Sequence, residues 1–326
     1  MRIPPVYNIA SEMLSLIARI EAERLHLISL NLQKPLKEKI QRVSLLKSSL
    51  FSARIEGNPL ELSNLEHGER EKKREIFNIV KASEFIDGRV KKGDISKDTL
   101  LQLHKIAMKN ITPDAGHLRT EVSAIFNQAG VAVYMPPPPT EISKLLIDLL
   151  KYINSDNEKF PLITAFTAHL IFEKIHPFLD GNGRVGRLLI AAILKAKGWD
   201  FTFTVPFEEY LDEHKDQYYF YLDTGLKNTN DYLLFMLTAF LEEIEKIKVQ
   251  IDLEIENRES LFLPPRQEEI LNIIKDHSIC SSDMVYRRFL KVPQRTLRYD
   301  LEKLLNRGLI EKSGETRGRY YRVKKK

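Results

Sequence analysis

Apolar residues recur at three- and four-residue spacing through most of the first 110 positions, and this is the period of an amphipathic helix. The spacing predicts helices within residues 8–32, 36–57 and 95–111, and a charged segment at 66–86 leads into a further one. Gly57-Asn58-Pro59 is a strong terminator for the second helix, and Ser96 is the predicted cap of the helix within 95–111.

The pattern changes in residues 116–139. Two short β-type runs flank a Gln-Ala-Gly turn and are followed by four prolines, which predicts an isolated hairpin. Helical spacing resumes in residues 140–155, 160–175 and 185–199. The helix at 160–175 is apolar on nearly all sides, so we expect it at the centre of the core.

Between the last two of these helices lies the run HPFLDGNGRVGR. A helix N-terminus has unpaired backbone N–H groups and a partial positive charge, and glycines there let an anion approach closely. Two arginines three residues apart lie on one side of the helix. The run therefore predicts a phosphate-binding site, formed by Gly181, Asn182, Gly183, Arg184 and Arg187.

Two further residues of this run add chemistry to the anion site. His176 can accept a proton near neutral pH. Asp180 suits Mg²⁺, which binds few carboxylates together with substrate phosphates. A base, a metal ligand and an anion site within twelve residues predict phosphoryl or nucleotidyl transfer.

The run resembles the motif of the Fic family, H-x-F-x-[DE]-G-N-G-R-x-x-R, and matches it at every specified position. The resemblance covers roughly residues 1–250. It implies a mainly α fold, a helical bundle with a β-hairpin flap. It also implies transfer of AMP from ATP to a hydroxyl side chain of a target protein and of the chain itself.

The resemblance implies a role for each residue of the loop. His176 would deprotonate the target hydroxyl, Phe178 would anchor the loop in the core, and Asp180 would hold Mg²⁺. The remaining positions would bind the phosphates of ATP, with Gly181, Asn182 and Gly183 as the anion hole, Arg184 at the β- and γ-phosphates and Arg187 at the γ-phosphate.

Other parts of the chain also resemble the family. The hairpin from Ile125 to Tyr134, including Val133, would be a flap that binds the target by strand addition. Tyr218 and Tyr219 resemble a tyrosine pair that lines the adenine pocket. The phosphorylating Doc branch has a lysine where Gly183 stands, so the resemblance favours adenylylation.

The stretch SARIEGN, residues 52–58, resembles the family's inhibitory motif [ST]-x-x-x-E-[GN]. Ser52 and Glu56 are one helical turn apart and share a face. The resemblance implies that Glu56 pairs with Arg187 and occupies the space of the ATP γ-phosphate. The alternative is an ordinary helix end with Gly57 as its stop.

Basic charge is concentrated at the C-terminus. Residues 264–326 carry 16 Lys and Arg against 8 Asp and Glu, whereas the remainder has 34 against 37. This segment resembles a winged helix domain, which leaves DNA binding, target presentation and packing on the catalytic core as alternatives. The residues expected to face outward are Gln294, Arg295, Arg298 and Tyr299, with Arg317 and Arg319 in the wing.

We therefore expect three regions: a helical region with the inhibitory motif at 1–95, a Fic core at 96–258 and a winged helix domain at 264–326. A single cysteine, Cys280, excludes an intramolecular disulfide or cysteine-based zinc cluster. The sequence also predicts a cytoplasmic protein without membrane contact, and a homo-oligomer is compatible with it. The alternative functions are removal of AMP, with Glu56 positioning water, and a nucleotide-sensing DNA-binding regulator.

Overall fold

The structure is a computed structural model of the chain. It describes residues 1–30, 32–93, 95–126, 132–199, 201–259, 264–277, 280–290, 292–314 and 320–324. Two compact units are present, Met1–Lys248 (unit 1) and Val249–Lys326 (unit 2). The three regions expected from the sequence stay a prediction. Within the described residues, no helix is both long enough and apolar enough to cross a membrane.

Unit 1 is mainly helical, which confirms the predicted fold class. The Ser96 side chain accepts a hydrogen bond from the Thr99 backbone N–H, so the predicted cap is confirmed. The second helix ends at Ile55, just before Gly57 at φ +94°. The helices are α1 (Ser11–Ser29), α2 (Lys34–Ile55), α3 (Arg70–Arg89), α4 (Lys97–Ala107), α5 (Pro139–Asn154), α6 (Pro161–Ile175), α7 (Asn182–Ala196), α8 (Glu208–Glu213), α9 (Lys215–Thr224) and α10 (Thr229–Glu259), which begins in this unit.

The predicted hairpin is present between α4 and α5. It consists of β1 (Ile125–Phe126) and β2 (Ala132–Tyr134), which pair antiparallel with Ile125 opposite Tyr134. The turn predicted between them lies outside the described residues.

Helix α6 is the centre of unit 1, as its all-round apolar sequence predicts. Every residue from Leu162 to Ile175 is buried, and the helix packs against α5 and α7. A helix without a polar face must be covered on all sides, so it fixes the positions of its neighbours. The loop that leaves its C-terminus therefore starts from a rigid point.

The loop between α6 and α7 is anchored by Phe178, which is 0% exposed. Its ring stacks on His104 of α4, with centroids 3.7 Å apart and planes 4° from parallel. The Asn182 side chain accepts from the Phe178 N–H at 2.9 Å and donates to the Phe178 carbonyl at 2.8 Å. The loop is thus held at its middle by both packing and hydrogen bonds.

The described part of unit 2 contains the end of α10, three further helices and a small antiparallel sheet whose central strand is Tyr320–Val323. Its core includes Ile270, Val285, Leu297 and Leu301. The assignment of this segment to winged helix domains stays a prediction. The elements are α11 (Pro265–Asp276), β3 (Cys280–Ser281), α12 (Ser282–Arg288), α13 (Gln294–Asn306), β4 (Ile310–Ser313) and β5 (Tyr320–Val323).

The α13 residues expected at the surface, Gln294, Arg295, Arg298 and Tyr299, are all exposed. Arg317 and Arg319, assigned to the wing from the sequence, lie outside the described residues.

Replacing Phe178 by alanine should lower the free energy of unfolding of unit 1 by about 3–5 kcal/mol, because a buried aromatic ring and its stacking contact with His104 are lost. Urea denaturation followed by circular dichroism measures this change. Phe220→Ala on α9, where the ring is exposed, is the matched control and should change the value by less than about 0.5 kcal/mol. Equal effects of the two substitutions would mean that Phe178 does not anchor the loop.

Candidate functional site

The N-terminus of α7 carries the glycines of the predicted anion site. Gly181 has φ +82°, and a Cβ there would lie 2.6 Å from the Met108 sulfur. A Cβ on Gly183 would lie 2.2 Å from Oε1 of Glu56. Glycine suits both positions, for different reasons: the left-handed backbone of Gly181 favours glycine, and the lack of a side chain at Gly183 leaves room for the Glu56 carboxylate. The first-turn N–H groups of α7 lack intrahelical partners and provide the donors of an anion site.

His176 ends α6 in a left-handed conformation, at φ +49° and ψ +61°. Its Nδ1 lies 3.3 Å from the Glu173 carbonyl oxygen. Because a carbonyl only accepts hydrogen bonds, Nδ1 carries the proton, and the Nε2 lone pair is free to accept another. Burial lowers the pKa of His176, so the imidazole is neutral at pH 7 and suited to act as a base.

Asp180 lies beside the glycines with its side chain 55% exposed. Its Oδ1 accepts from the Gly181 N–H at 2.6 Å and from Arg184 Nη2 at 2.8 Å. Within the described residues no group of three or more His, Cys, Asp or Glu could hold a metal ion. The arrangement fits Mg²⁺, which commonly binds one or two carboxylates and completes its shell with phosphates and water.

The two arginines of the loop are both buried and both paired with carboxylates. Arg184 contacts Glu75 of α3 and Asp180. Arg187, at 1% exposure, donates from Nε to the Ser52 hydroxyl at 2.9 Å and from Nη2 to the Ser52 carbonyl at 2.8 Å. Its Nη2 also donates to Oε1 of Glu56 at 2.9 Å. The structure thus brings the two residues of SARIEGN together with the second arginine.

Two buried ionisable side chains near Arg187, those of Glu173 and His169, have pKa values that favour their neutral forms at pH 7. Burial raises the pKa of Glu173 to about 8, and burial lowers the pKa of His169 to about 3. The two side chains lie 3.8 Å apart and do not form an ion pair in these protonation states. Glu56 is therefore the carboxylate that balances the Arg187 charge directly.

The two tyrosines assigned to an adenine pocket differ in their surroundings. Tyr218 is buried, and its hydroxyl lies 3.1 Å from Nε2 of His169. Tyr219 is exposed, and its hydroxyl donates to the Ile55 carbonyl at the end of α2. Tyr218 is thus part of the buried core near Arg187, whereas Tyr219 is exposed and can contact a ligand. The pocket assignment stays a prediction.

The predicted flap residues are only partly described. The side chains of Ile125 and Val133 lie outside the described part of the chain. Tyr134 donates its hydroxyl to the Lys174 carbonyl at 2.9 Å, and the Lys174 ammonium lies 4.2 Å from the centre of its ring. Tyr134 thus fixes the hairpin to α6, and the role of these three residues in target binding stays a prediction.

Arg119 is a residue of the site that the sequence did not indicate. It is buried, and its guanidinium donates to backbone carbonyls at the end of α6 and at the base of the hairpin. The acceptors include His176 at 2.8 Å, Glu121 at 2.9 Å and Pro137 at 2.6 Å. It therefore joins the hairpin to the histidine that the sequence predicts as the base.

His104 was also missed by the sequence, since it lies within an ordinary helical pattern. Its Nδ1 accepts from the Gly116 N–H at 2.8 Å, and its Nε2 lies 3.0 Å from the Asp180 carbonyl. Because Nδ1 accepts a hydrogen bond, the proton of the neutral ring is on Nε2, which donates to the Asp180 carbonyl. Burial lowers the pKa of His104, so this histidine is neutral and positions the loop.

Comparison with known proteins was made on sequence and on structure. Residues 94–194 match the Fic/DOC family. The proteins named protein adenylyltransferase Fic from Drosophila yakuba and Drosophila melanogaster are each 32% identical over 129 residues, which is 38% of this chain and 25% of theirs. The chain thus covers about a quarter of the length of these curated relatives.

Two solved structures share the fold. A Fic family protein from Desulfovibrio desulfuricans G20 is 23% identical, with a TM-score of 0.75 over 99% of this chain and 98% of that one. Fic-1 from C. elegans is 20% identical, with a TM-score of 0.62 over 74% of this chain and 73% of that one. Together, these findings show that residues 94–194 form a Fic domain and that the chain shares the fold of the two solved structures.

Proposed function

We propose that this chain is a protein adenylyltransferase that transfers AMP from ATP to a hydroxyl side chain of a target protein and of itself. The observation that carries the proposal is the loop between α6 and α7. It joins a neutral histidine with a free Nε2 to a glycine-lined helix N-terminus and two buried arginines. The sequence likeness to adenylyltransferases over 129 residues supports the same reaction.

In this reaction Nε2 of His176 takes the proton from the target hydroxyl as its oxygen attacks the α-phosphorus of ATP. The new phosphorus–oxygen bond forms while the bond to the oxygen bridging the α- and β-phosphates breaks, and pyrophosphate leaves. The N–H groups at the start of α7 stabilise the charge that develops on the α-phosphate oxygens. Arg184 and Arg187 hold the β- and γ-phosphates.

Mg²⁺ would be held by the exposed Asp180 carboxylate together with phosphate oxygens. A bound Mg²⁺ supplies positive charge that offsets the charge of the transferring and leaving phosphates. Asp180 already lies beside the anion site because its Oδ1 accepts from the Gly181 N–H.

Glu56 keeps this site in a restrained state. Its Oε1 is bonded to Arg187 and lies so close to Gly183 that a Cβ there would overlap with it. A carboxylate there competes with the γ-phosphate for the guanidinium and repels it by like charge. We therefore propose that the C-terminal end of α2 limits nucleotide binding by the enzyme.

Replacing His176 by alanine should lower the rate of self-labelling by about 10²- to 10⁴-fold, because the base is lost. ATP binding should stay near the native value, since His176 does not hold the phosphates. Labelled ATP with Mg²⁺ measures transfer, and calorimetry measures binding. Undiminished labelling in the variant would mean that His176 is not the base. Absence of labelling both in the native chain and after the Glu56→Gly substitution described below would favour a nucleotide-sensing regulator.

Replacing Glu56 by glycine should raise self-labelling above that of the native chain. Loss of the carboxylate frees Arg187, and coupling of this kind is worth about 1–3 kcal/mol, or 5- to 150-fold in affinity. The gain in rate can exceed the gain in affinity, because a phosphate misplaced by about 1 Å can cost a hundredfold. Time courses over a range of ATP concentrations measure both.

Glu38→Ala on the exposed side of the same helix is the matched control and should leave labelling unchanged. Arg187→Ala should not reproduce the gain, since it removes a phosphate ligand as well as the restraint. Labelling by Glu56→Gly at the native rate would mean that SARIEGN is only a helix end. If the native chain instead removes AMP from the pre-labelled variant, then Glu56 serves the hydrolytic reaction.

For unit 2 we propose a second activity, binding to the phosphate backbone of DNA. Arg295, Arg298 and Tyr299 are exposed on α13, in a segment rich in basic residues. Exposed arginines on one helix are suited to phosphate contacts. The rival for this surface is recruitment of a target protein.

Replacing Arg295 by alanine in the full chain should weaken DNA binding and reduce the slope of log K against log salt by about 0.9, the value for one lost phosphate contact. Fluorescence anisotropy with a duplex at several salt concentrations measures the slope. Lys275→Ala on α11 removes the same charge from another exposed position and should leave the slope unchanged. Absence of salt-sensitive binding by the native chain would exclude DNA and favour a protein partner.

A further inference from the structure

Glu75 of α3 lies outside both the α6–α7 loop and SARIEGN, yet it contacts residues of each. Its Oε1 binds Arg184 Nη1, and its Oε2 accepts from Asn58 Nδ2 at 2.8 Å. Asn58 follows Glu56 by two residues, at the turn that ends α2. One carboxylate thus bridges the first loop arginine and the end of the inhibitory helix.

Asn58 fixes the orientation of the Glu75 carboxylate. It is buried, and its Nδ2 also donates to the Lys72 carbonyl at 3.0 Å, while its Oδ1 accepts from the Leu60 N–H at 3.1 Å. With its own contacts satisfied, Asn58 offers Glu75 a donor at a fixed place. The oxygen that remains, Oε1, is therefore directed to Arg184.

The Arg184 side chain is buried and is held in place by few groups besides Glu75. Its side chain is 5% exposed, and its Nε has no hydrogen-bond partner within the described part of the chain. Nη1 is bound by Glu75 and Nη2 by Asp180. A buried guanidinium needs a counter-charge and fixed acceptors to hold one place, and Glu75 is the less exposed of its two carboxylate partners.

We propose that Glu75 is a positioning residue of the nucleotide site, which holds the Arg184 guanidinium in place for the β- and γ-phosphates of ATP. Once Asp180 turns to a cation, Nη2 is available to phosphate oxygens, while Glu75 keeps Nη1. A guanidinium fixed in this way loses little freedom when it binds. The inference rests on the proposed function, because it takes ATP as the ligand.

The test compares ATP with AMP in the full-length Glu56→Gly chain, in which Arg187 no longer has its carboxylate partner. AMP lacks the β- and γ-phosphates, so a positioning role at Arg184 predicts a defect for ATP alone. Adding Glu75→Gln should weaken ATP binding about 10- to 100-fold, the range found when outer partners of metal ligands are removed. AMP affinity should stay unchanged, which also shows that the variant is folded.

Two further variants sharpen the comparison. Glu75→Asp keeps the charge and should recover part of the ATP affinity. Glu84→Gln, at an exposed position on α3, is the matched control and should change neither affinity. In kinetics, Glu75→Gln should raise the KM for ATP more than it lowers kcat.

Equal weakening of ATP and AMP would overturn the inference, because it would indicate a general packing defect. Unchanged or tighter ATP binding would also overturn it, the latter showing that Glu75 competes with phosphate. If the Glu56→Gly parent fails to bind ATP at all, then the proposed function itself is wrong. The failure of each idea is thus distinguishable.

Discussion

A buried guanidinium must be paired, because an unpaired buried charge is strongly destabilising. One such group in unit 1 belongs to Arg187, and its acceptors on Ser52 and Glu56 come from the C-terminal end of α2. Satisfying the guanidinium fixes where α2 ends against α7. Burial favours the neutral forms of the neighbouring Glu173 and His169 at pH 7, and Glu56 is the carboxylate bonded directly to Arg187.

The rest of the loop is held by the neutral side chains of His104, Phe178 and Asn182, and by Arg119, whose acceptors are backbone carbonyls. His104 stacks on Phe178 and donates to the Asp180 carbonyl, and Asn182 binds both backbone groups of Phe178. Arg119 binds carbonyls on either side of the hairpin and at His176. These contacts do not involve the groups that would bind nucleotide, so the loop can keep its shape whether Arg187 is paired with a carboxylate or with a phosphate.

The sequence predicts the helices up to α7, the hairpin and the glycine-rich loop because these depend on local pattern. Apolar spacing, the terminator at Gly57 and the cap at Ser96 each depend on residues within or next to a single helix. The candidate base, metal ligand and phosphate-binding residues lie within one run of twelve residues. Arg119 and Glu75 could not be predicted in this way, because their acceptors and donors are brought to them only by the tertiary fold. Each appears in the sequence as an ordinary charge in a loop or helix.

The two partners of Arg187 differ in how easily they can leave. Ser52 is buried and accepts two of the three hydrogen bonds, one of them through its backbone carbonyl, so it cannot withdraw unless α2 moves. The Glu56 side chain is 29% exposed, and Glu56 directly follows Ile55, the last residue of α2. Under the proposed function, rotation of this one side chain exchanges a carboxylate for a phosphate at Arg187 and clears the space over Gly183. Because the Ser52 contacts persist, the restraint can be released by local competition rather than by unfolding of α2.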